Sequence, residues 1–214
     1  MSNLIGIIAS YAFIIVVIIV AKLFEKIGKE ASRKFIHIAL CNWWFIAMYF
    51  FTNAVWASIV PLSFVIINYI SYKKNIISVM ERDNQDGLGT VYYAISLFVL
   101  AIISFGVLNN PLIGLAGILV MGYGDGLAAI VGRKISSKEY KVGNTKKTLA
   151  GSATMFIITF VILAIFLIDM QFWYIKAIIA SIIITIVEAV SVKGTDNLTV
   201  PIITSGILYL LMCI

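Results

Sequence analysis

Charged residues are scarce in this sequence, and their scarcity argues against a soluble protein. Only 12% of the 214 residues are Asp, Glu, Lys or Arg, whereas 62% are hydrophobic and the mean hydropathy is +1.06. Soluble domains are about half apolar, so the composition predicts an all-α, polytopic transmembrane bundle. No soluble domain, repeat or low-complexity tract is visible, and we expect residues 1–214 to form a single integral-membrane domain.

Cysteine is rare as well. Cys41 and Cys213 both lie in apolar runs far apart in the sequence. Their positions give no support for a disulfide, so we expect two buried free thiols. The first apolar run also lacks a basic leader and a small-residue cleavage site, which argues against a cleavable signal peptide.

Apolar segments fill most of the chain. A transmembrane helix needs about 17–25 residues, and the segments predict seven or eight spans, of which the last is the weakest. Pro61 and Pro201 lie within spans, where neighbouring helices can satisfy the carbonyl groups that proline frees. The eight segments cover about 4–21, 35–52, 54–71, 88–108, 112–131, 149–168, 172–192 and 198–214.

The few charges are distributed unevenly. Fifteen of the 16 Lys and Arg residues lie in alternate connections between the segments, and only Lys176 falls on the other side. The positive-inside rule then places both termini outside and the basic loops in the cytoplasm. Every acidic residue except Asp169 lies in or beside the same loops. This distribution predicts a site at the cytoplasmic membrane face for one polar and one apolar substrate, with membrane lipids and no nucleic acid as partners.

The stretch 122–134 carries Asp125 inside an otherwise apolar segment. An ionised carboxylate at this depth costs about 2.5–3.5 kcal/mol by the lower estimates, so it normally faces a protein interior or a water-filled site. At helical spacing Asp125 shares a face with Ala128, Ala129 and Gly132, which permits close approach of a helix or a ligand. The competing interpretation is a helix-packing face with one buried polar residue.

A second polar face opens the second span. Arg33, Lys34 and His37 follow Glu30 at spacings of three and four, so they share one side of a helix. Arg33 and Lys34 can bind phosphate oxygens, and His37 can orient a phosphate or move a proton. The alternatives are interfacial anchors for the two cations and a hydrogen-bonded packing residue for His37.

The stretch 81–93 leads into the fourth span. Its acids, Glu81, Asp83 and Asp86, can hold a cation, but the spacing lacks the twelve-residue calcium-loop pattern. Taken alone, the stretch is better explained as a solvated loop.

The basic sequence Lys146–Lys147–Thr148 precedes the sixth span. Thr148 or Thr145 can cap the following helix, and free N–H groups together with two ammonium groups would suit a triphosphate. The glycine spacing of a Walker A loop is missing. The alternative role of the two lysines is to set the topology.

Glu188 and Asp196 flank the last connection. Glu188 lies inside an apolar run, one turn from Ser191, while Asp196 and Asn197 lie in a turn-like stretch. The alternatives are a buried glutamate bonded to a neighbour and a structural Asx turn. Three carboxylates from separate spans, Asp125 with Glu188 and Asp196, fit magnesium-assisted phosphate chemistry, with Glu188, Asp196 or His37 accepting a proton.

This motif set resembles the polyprenol kinase family of dolichol kinase, phytol kinase and the CTP-dependent diacylglycerol kinases. The resemblance covers about 30–201, and the length is similar to the compact phytol-kinase-like branch. It implies Mg²⁺, CTP as donor, and a membrane-embedded isoprenoid or lipid alcohol as acceptor. The matching pieces are Arg33–Lys34 with His37, Gly89–Thr90 with Tyr92–Tyr93, Gly124–Asp125–Gly126 through Gly132–Arg133–Lys134, Lys147–Thr148 with Gly151–Ser152, and Glu188–Ala189 with Asp196–Asn197.

The resemblance and the residue chemistry together predict the composition of the site. Catalytic roles fall to four residues, three of which also hold the metal: Asp125, Glu188 and Asp196, together with His37. The nucleotide-binding set is Arg33, Lys34, Gly124, Gly126, Arg133, Lys134, Lys146, Lys147, Thr148 and Asn197.

Three other functions remain open from the sequence. A CTP-dependent cytidylyltransferase needs the same nucleotide, metal and carboxylates, but it releases pyrophosphate and a CDP-lipid. An ion-coupled transporter can use Asp125 and Glu188 as coupling sites, although no inverted repeat is evident and the polar groups crowd one face. A non-catalytic lipid-binding scaffold leaves Lys146 and Lys147 unexplained.

Overall fold

A computed structural model describes residues 2–74, 76, 88–142, 145–192 and 194–213. Helices dominate these residues, as the composition predicts, and seven of those described are long and apolar enough to cross a membrane. The elements are α1 Ser2–Phe24, α2 Lys29–Leu40, α3 Trp43–Phe50, α4 Ala54–Lys74, α5 Gly89–Ile102, α6 Pro111–Leu119, α7 Gly126–Lys134, β1 Glu139–Val142, β2 Thr145–Thr148, α8 Leu149–Leu167, α9 Trp173–Val190 and α10 Asp196–Cys213.

The second predicted span, 35–52, is divided between two short helices. α2 ends at Leu40 and α3 begins at Trp43. Asn42 lies between them, and its side-chain amide donates to the carbonyl oxygens of Ile38 and Ala39, each at 3.2 Å. A side chain that bonds to the preceding turn competes with the helical ladder, which explains the break. The last segment, by contrast, forms the 18-residue helix α10.

The span from α6 to α7 is the centre of the bundle. Of its most apolar window 72% is buried, compared with 28–50% for the other six candidate spans. α6 packs against α10, and α7 packs against α8 and α2. Large side chains such as Trp44, Met121 and Leu163 fill the interior without measurable exposure. The central span therefore presents its polar groups to neighbouring helices and not to lipid.

The central span also changes its helical geometry. Residues Val120–Asp125 form a π-helical turn between α6 and α7. A π-turn inserts one extra residue into a helix and is frequent at functional sites. A second π-helical stretch, Ile103–Val107, ends the α5 span.

The basic loop after α7 contains a small β-hairpin that the sequence did not predict. β1 and β2 pair antiparallel, with Tyr140 opposite Lys147 and Lys141 opposite Lys146. The Tyr140 hydroxyl lies 2.6 Å from Ser152 Oγ on α8, which fastens the hairpin to the bundle. Both cysteines are free, as expected, but only Cys41 is buried; Cys213 is exposed.

Candidate active site

The π-turn carries Asp125 at its last position, at the start of α7. Gly124 lies close to α8, because a Cβ there would be 2.8 Å from Met155 Sδ. Only 11% of the Asp125 side chain is exposed. The π-turn thus places a nearly buried carboxylate inside the bundle, next to the point where α8 packs against Gly124.

Two groups from α2 meet this carboxylate. Lys34 Nζ donates to Asp125 Oδ2 at 2.9 Å, and His37 Nε2 lies 3.2 Å from the same oxygen. His37 Nε2 is also 3.0 Å from the carbonyl oxygen of Met121, which can only accept. The Nε2 atom therefore carries a hydrogen. The Tyr93 hydroxyl donates to the carbonyl oxygen of His37 at 3.1 Å, which fixes this turn of α2.

A second ion pair lies across the site. Glu188, in the last turn of α9, pairs with Lys147 of β2, and the Lys147 ammonium also donates to the Glu188 carbonyl oxygen at 3.2 Å. Burial acts to lower the pKa of Lys147, but the adjacent Glu188 carboxylate outweighs it and raises that pKa above its ordinary value. Lys147 therefore stays an ammonium group in the site.

Three carboxylates converge between these two pairs. Asp196 begins α10, and one oxygen from each of Asp125, Glu188 and Asp196 lies within 4.8 Å of the others. Asp196 Oδ1 accepts from the Asn197 backbone N–H at 3.0 Å. Three carboxylates against two ammonium groups leave a negative balance, and oxygen ligands are those that Mg²⁺ prefers. The donor set fits a divalent cation.

Glu30 gathers two guanidinium groups at the edge of the site. Arg33 Nε donates to it at 2.9 Å, and Arg133, from the end of α7, donates at 2.8 Å. Burial acts to raise the pKa of Glu30, yet the bond from Arg33 and both guanidinium charges outweigh it and lower that pKa. Glu30 therefore remains a carboxylate that holds both arginines beside the carboxylate cluster.

Comparison with known proteins identifies relatives over most of the chain. The phytol kinase of Synechocystis sp. is 31% identical over 199 residues, which cover 87% of this chain and 82% of the relative. Phytol kinase 1, chloroplastic, of Arabidopsis thaliana is 29% identical over 208 residues, covering 86% and 67%. The probable phytol kinase, chloroplastic, of Triticum aestivum is 29% identical over 210 residues, covering 86% and 68%. No protein-family model and no solved structure matches the chain.

The chain belongs to the phytol kinase family. This confirms the resemblance drawn from the motif set, and it makes the protein a phosphotransferase with an alcohol acceptor. The transporter and scaffold interpretations lose their support, because the polar cluster they would have to explain belongs to an enzyme.

Most of the predicted site of this phytol kinase family member is gathered in one region. The three acids lie together, Lys34 and His37 touch Asp125, and Lys147 touches Glu188. Gly126 packs against Ile38, which brings α2 close to α7. Asn197 also lies at this end, where its Nδ2 donates to the carbonyl oxygen of Gly89 at 3.0 Å.

The start of α8 differs in one respect from the phosphate site that the sequence predicted there. Thr148 caps the helix as expected, since its Oγ1 accepts from Gly151 N at 3.1 Å. The neighbouring N–H groups are not free: Leu149 N donates to Lys138 O at 3.0 Å and Ala150 N to Ser137 Oγ at 3.1 Å. The helix start therefore does not offer these N–H groups to a phosphate.

The two lysines before α8, Lys146 and Lys147, also point in opposite directions. Successive strand residues point to opposite faces, so Lys147 turns inward with 16% of its side chain exposed, whereas Lys146 is 66% exposed and pairs with Glu139 at 3.5 Å. Lys134 is exposed as well. Glu81, Asp83 and Asp86 lie outside the described residues.

Sequence reasoning missed two parts of the site. It placed Glu30 on the polar face of α2 without its role of holding Arg33 and Arg133, although the spacing of three between Glu30 and Arg33 is a signal for an ion pair. It gave no role to the Tyr93 hydroxyl, and its bond to a backbone carbonyl has no local signal in the sequence.

Proposed function

We propose that this protein transfers the γ-phosphoryl group of CTP to a membrane-embedded isoprenoid alcohol of the phytol type at the cytoplasmic face of the membrane. The observation that carries the proposal is the convergence of three carboxylates within 4.8 Å, with one lysine on each side. The names of the relatives support an isoprenoid alcohol as acceptor. CTP and Mg²⁺ follow from the motif resemblance and from the oxygen-rich donor set.

In the proposed reaction the alcohol oxygen attacks the γ-phosphorus, the bond from that phosphorus to the bridging oxygen breaks, and CDP leaves. Asp125 and Glu188 would hold Mg²⁺, which supplies neutralisation of phosphate charge when bound, and Asp196 would remain beside them as the third carboxylate of the cluster. Lys147, which reaches the cluster from β2, would exchange its bond to Glu188 for a bond to a phosphate oxygen. Arg33 and Arg133 would bind the outer phosphates from their positions on Glu30.

Asp196 is the best placed group to accept the alcohol proton. Asp125 and Glu188 each have an ammonium partner, whereas Asp196 has none among the residues that the structure describes. His37 Nε2 already carries a hydrogen and donates it, so that nitrogen offers no lone pair. A base within hydrogen-bond reach contributes about 10²–10⁴-fold to the rate.

The decisive assay uses purified protein in lipid with γ-labelled CTP or γ-labelled ATP and a panel of alcohols: phytol, geranylgeraniol, farnesol, a long polyprenol and diacylglycerol. We expect label to move from CTP to the isoprenoid alcohols. Matched reactions with Asp125→Asn protein control for contaminating kinases. Release of pyrophosphate with a CDP-lipid would identify a cytidylyltransferase instead, and label on no alcohol with either nucleotide would refute the proposal.

The orientation is tested separately by cysteine labelling. Fifteen of 16 cations on one side favour a cytoplasmic site. In a Cys213→Ser background, Lys138→Cys should react with an impermeant maleimide only after the membrane is opened. Gln171→Cys, in the connection between α8 and α9, should react in intact cells. Both positions reacting from the same side would overturn this orientation.

A further inference from the structure

An elongated groove lies beside the carboxylate cluster, between α1, α2, α3, α4 and α5, with α10 at one end. The space between its walls, counted out to its open mouth, is about 730 Å³. Most of the side chains that line it are apolar, among them Trp43, Val60, Phe64, Ala94 and Leu97. We call it the acceptor groove.

The acceptor groove has one polar end and one apolar end. Asn68 Nδ2 donates to the carbonyl oxygen of Thr90 at 3.0 Å, so these two lining residues lie at the same depth. From Asn68 back to Val60, and from Thr90 on to Leu97, the two helices run side by side into the apolar interior. At 1.5 Å per residue the groove is about 12 Å deep.

The polar end of the groove meets the carboxylate cluster. His37 lines the groove and lies 3.2 Å from Asp125 Oδ2. Asn197 lines it too, and it directly follows Asp196 in α10. An apolar groove that ends against phosphate-transfer chemistry is the arrangement that a lipid alcohol needs, with its chain in one part and its hydroxyl group in the other.

One atom at this end is short of a partner. Asn197 is 93% buried and donates its Nδ2 hydrogen to Gly89, but its Oδ1 has no hydrogen-bond partner among the described residues. A buried acceptor without a donor costs stability. Asn197 also lines the groove, so a hydroxyl group that reaches this wall is a donor of the right kind once the side chain turns its Oδ1 toward the groove.

We propose that the acceptor groove binds the hydrocarbon chain of the alcohol and that Asn197 Oδ1 accepts the hydrogen bond of its hydroxyl group. The assignment rests on the proposed function. Asn197 positions the incoming hydroxyl through this bond; the hydroxyl hydrogen then turns to the adjacent Asp196, which takes the proton as the new phosphorus–oxygen bond forms and CDP leaves. An extended phytol chain is longer than the groove. The groove therefore encloses only the part of the chain nearest the hydroxyl, and it distinguishes alcohols by that part.

Photo-crosslinking tests the groove without requiring turnover. A prenyl alcohol with a diazirine on its chain is bound to the protein in lipid, irradiated and mapped by mass spectrometry, with and without excess unlabelled geranylgeraniol. Competable labelling should fall on α4 and α5, near Phe64 and Leu97. Competable labelling confined to α8 or α9, or labelling that unlabelled alcohol does not reduce, would overturn the assignment. Groove labelling by a protein that phosphorylates no alcohol would refute the proposed function alone.

Filling the groove gives a kinetic test. Ala94→Phe should raise KM for geranylgeraniol about tenfold or more, because the ring takes the volume of several methylene groups, while KM for CTP stays within about twofold. Ala12→Phe is the matched control, since Ala12 is exposed on the outer face of α1. If Ala94→Phe does not fold, Phe64→Ala removes wall contacts and should raise the same KM. Equal kinetics for all variants would overturn the assignment.

Asn197→Ala separates the acceptor role from a nucleotide role. Loss of one neutral hydrogen bond should raise KM for the alcohol up to about tenfold and leave KM for CTP unchanged. A rise in KM for CTP with none for the alcohol would return Asn197 to the nucleotide site. A fall in thermal stability with neither KM changed would leave only its structural bond to Gly89, and would also refute the assignment.

Discussion

The two ends of this bundle differ in the charge of the side chains that lie where the helices begin and end. At one end, around residues 51–53 and 108–111, neutral side chains complete the hydrogen bonds of the helix ends. Asn110 Oδ1 accepts from Leu112 N at 3.2 Å, Asn53 Oδ1 accepts from Trp56 N at 3.2 Å, and Asn3 Oδ1 accepts from Thr52 N at 3.1 Å. We call this the neutral end.

At the charged end the carboxylates and ammonium groups are buried in pairs, Lys34 with Asp125 and Lys147 with Glu188. Replacing a buried ion pair by apolar side chains is often neutral or stabilising. The neutral end shows that this chain can finish its helices without such pairs. The charges at the other end are therefore better explained by the reaction than by the fold.

The largest expected effect is that of Asp125→Asn. It removes one negative charge and keeps the side-chain size, so turnover should fall by at least about 10²–10⁴-fold at any Mg²⁺ concentration. Phosphorylated alcohol is the readout. Near-normal turnover would show that the charges at this end are not needed for the reaction, and that the two ends do not differ in this respect.

Asp125→Asn also leaves Lys34 buried without its carboxylate, which can cost about 3–5 kcal/mol of stability. Asp125→Asn combined with Lys34→Met removes both charges, so its thermal melting should lie closer to that of the native protein. If the double variant is stable and still inactive, instability does not explain the lost turnover.

Glu188→Gln should be next in size, with a loss of about 10²-fold or more, because it removes a second charge from the same cluster. Groups that act as one unit are not additive. The Asp125→Asn, Glu188→Gln double variant should then be little worse than Asp125→Asn alone. Multiplication of the two losses would indicate that the carboxylates act independently.

Lys147→Ala and Lys146→Ala compare two neighbours that face opposite ways. A charge-assisted bond contributes about 1.5–3 kcal/mol, so Lys147→Ala should lower kcat/KM for CTP about 10- to 100-fold. Lys146 is exposed, and its substitution should change this value by less than about threefold. Equal losses would show that the hairpin rearranges when nucleotide binds.

Asn110→Ala, at the neutral end, should have the smallest effect on activity. Loss of this cap should reduce the free energy of unfolding by about 0.5–2 kcal/mol and leave turnover of the folded protein unchanged. Thermal melting with a parallel rate measurement checks both. A large loss of turnover in folded protein would show that the neutral end also serves the reaction.

Much of this arrangement could be predicted from composition and spacing. Hydrophobic length predicted the helices, and the rarity of charge in apolar segments singled out Asp125 and Glu188. The break at Asn42 was not predicted, because it depends on which carbonyls one amide reaches. The π-turn at 120–125 was not predicted either: it lies where α8 packs against Gly124, and such contacts join residues far apart in the sequence.

The hairpin explains why only one of the two lysines expected to face a phosphate lies in the carboxylate cluster. Its cations predicted a phosphate site, and Lys147 lies inside the cluster. The opposite orientation of Lys146 follows from the strand period of two, which a stretch of only four residues does not reveal. A loop interpretation gave both lysines the same direction.

His37 has a consequence that concerns the two substrates together. Its imidazole forms part of the acceptor-groove wall and also lies against Asp125. A ligand that shifts this ring on one side changes the free energy of binding on the other. Such coupling is reciprocal: if bound alcohol tightens nucleotide binding by some factor, bound nucleotide must tighten alcohol binding by the same factor. In such an enzyme the amount of bound acceptor sets how firmly the nucleotide is held, and the nucleotide sets the affinity for the acceptor to the same extent.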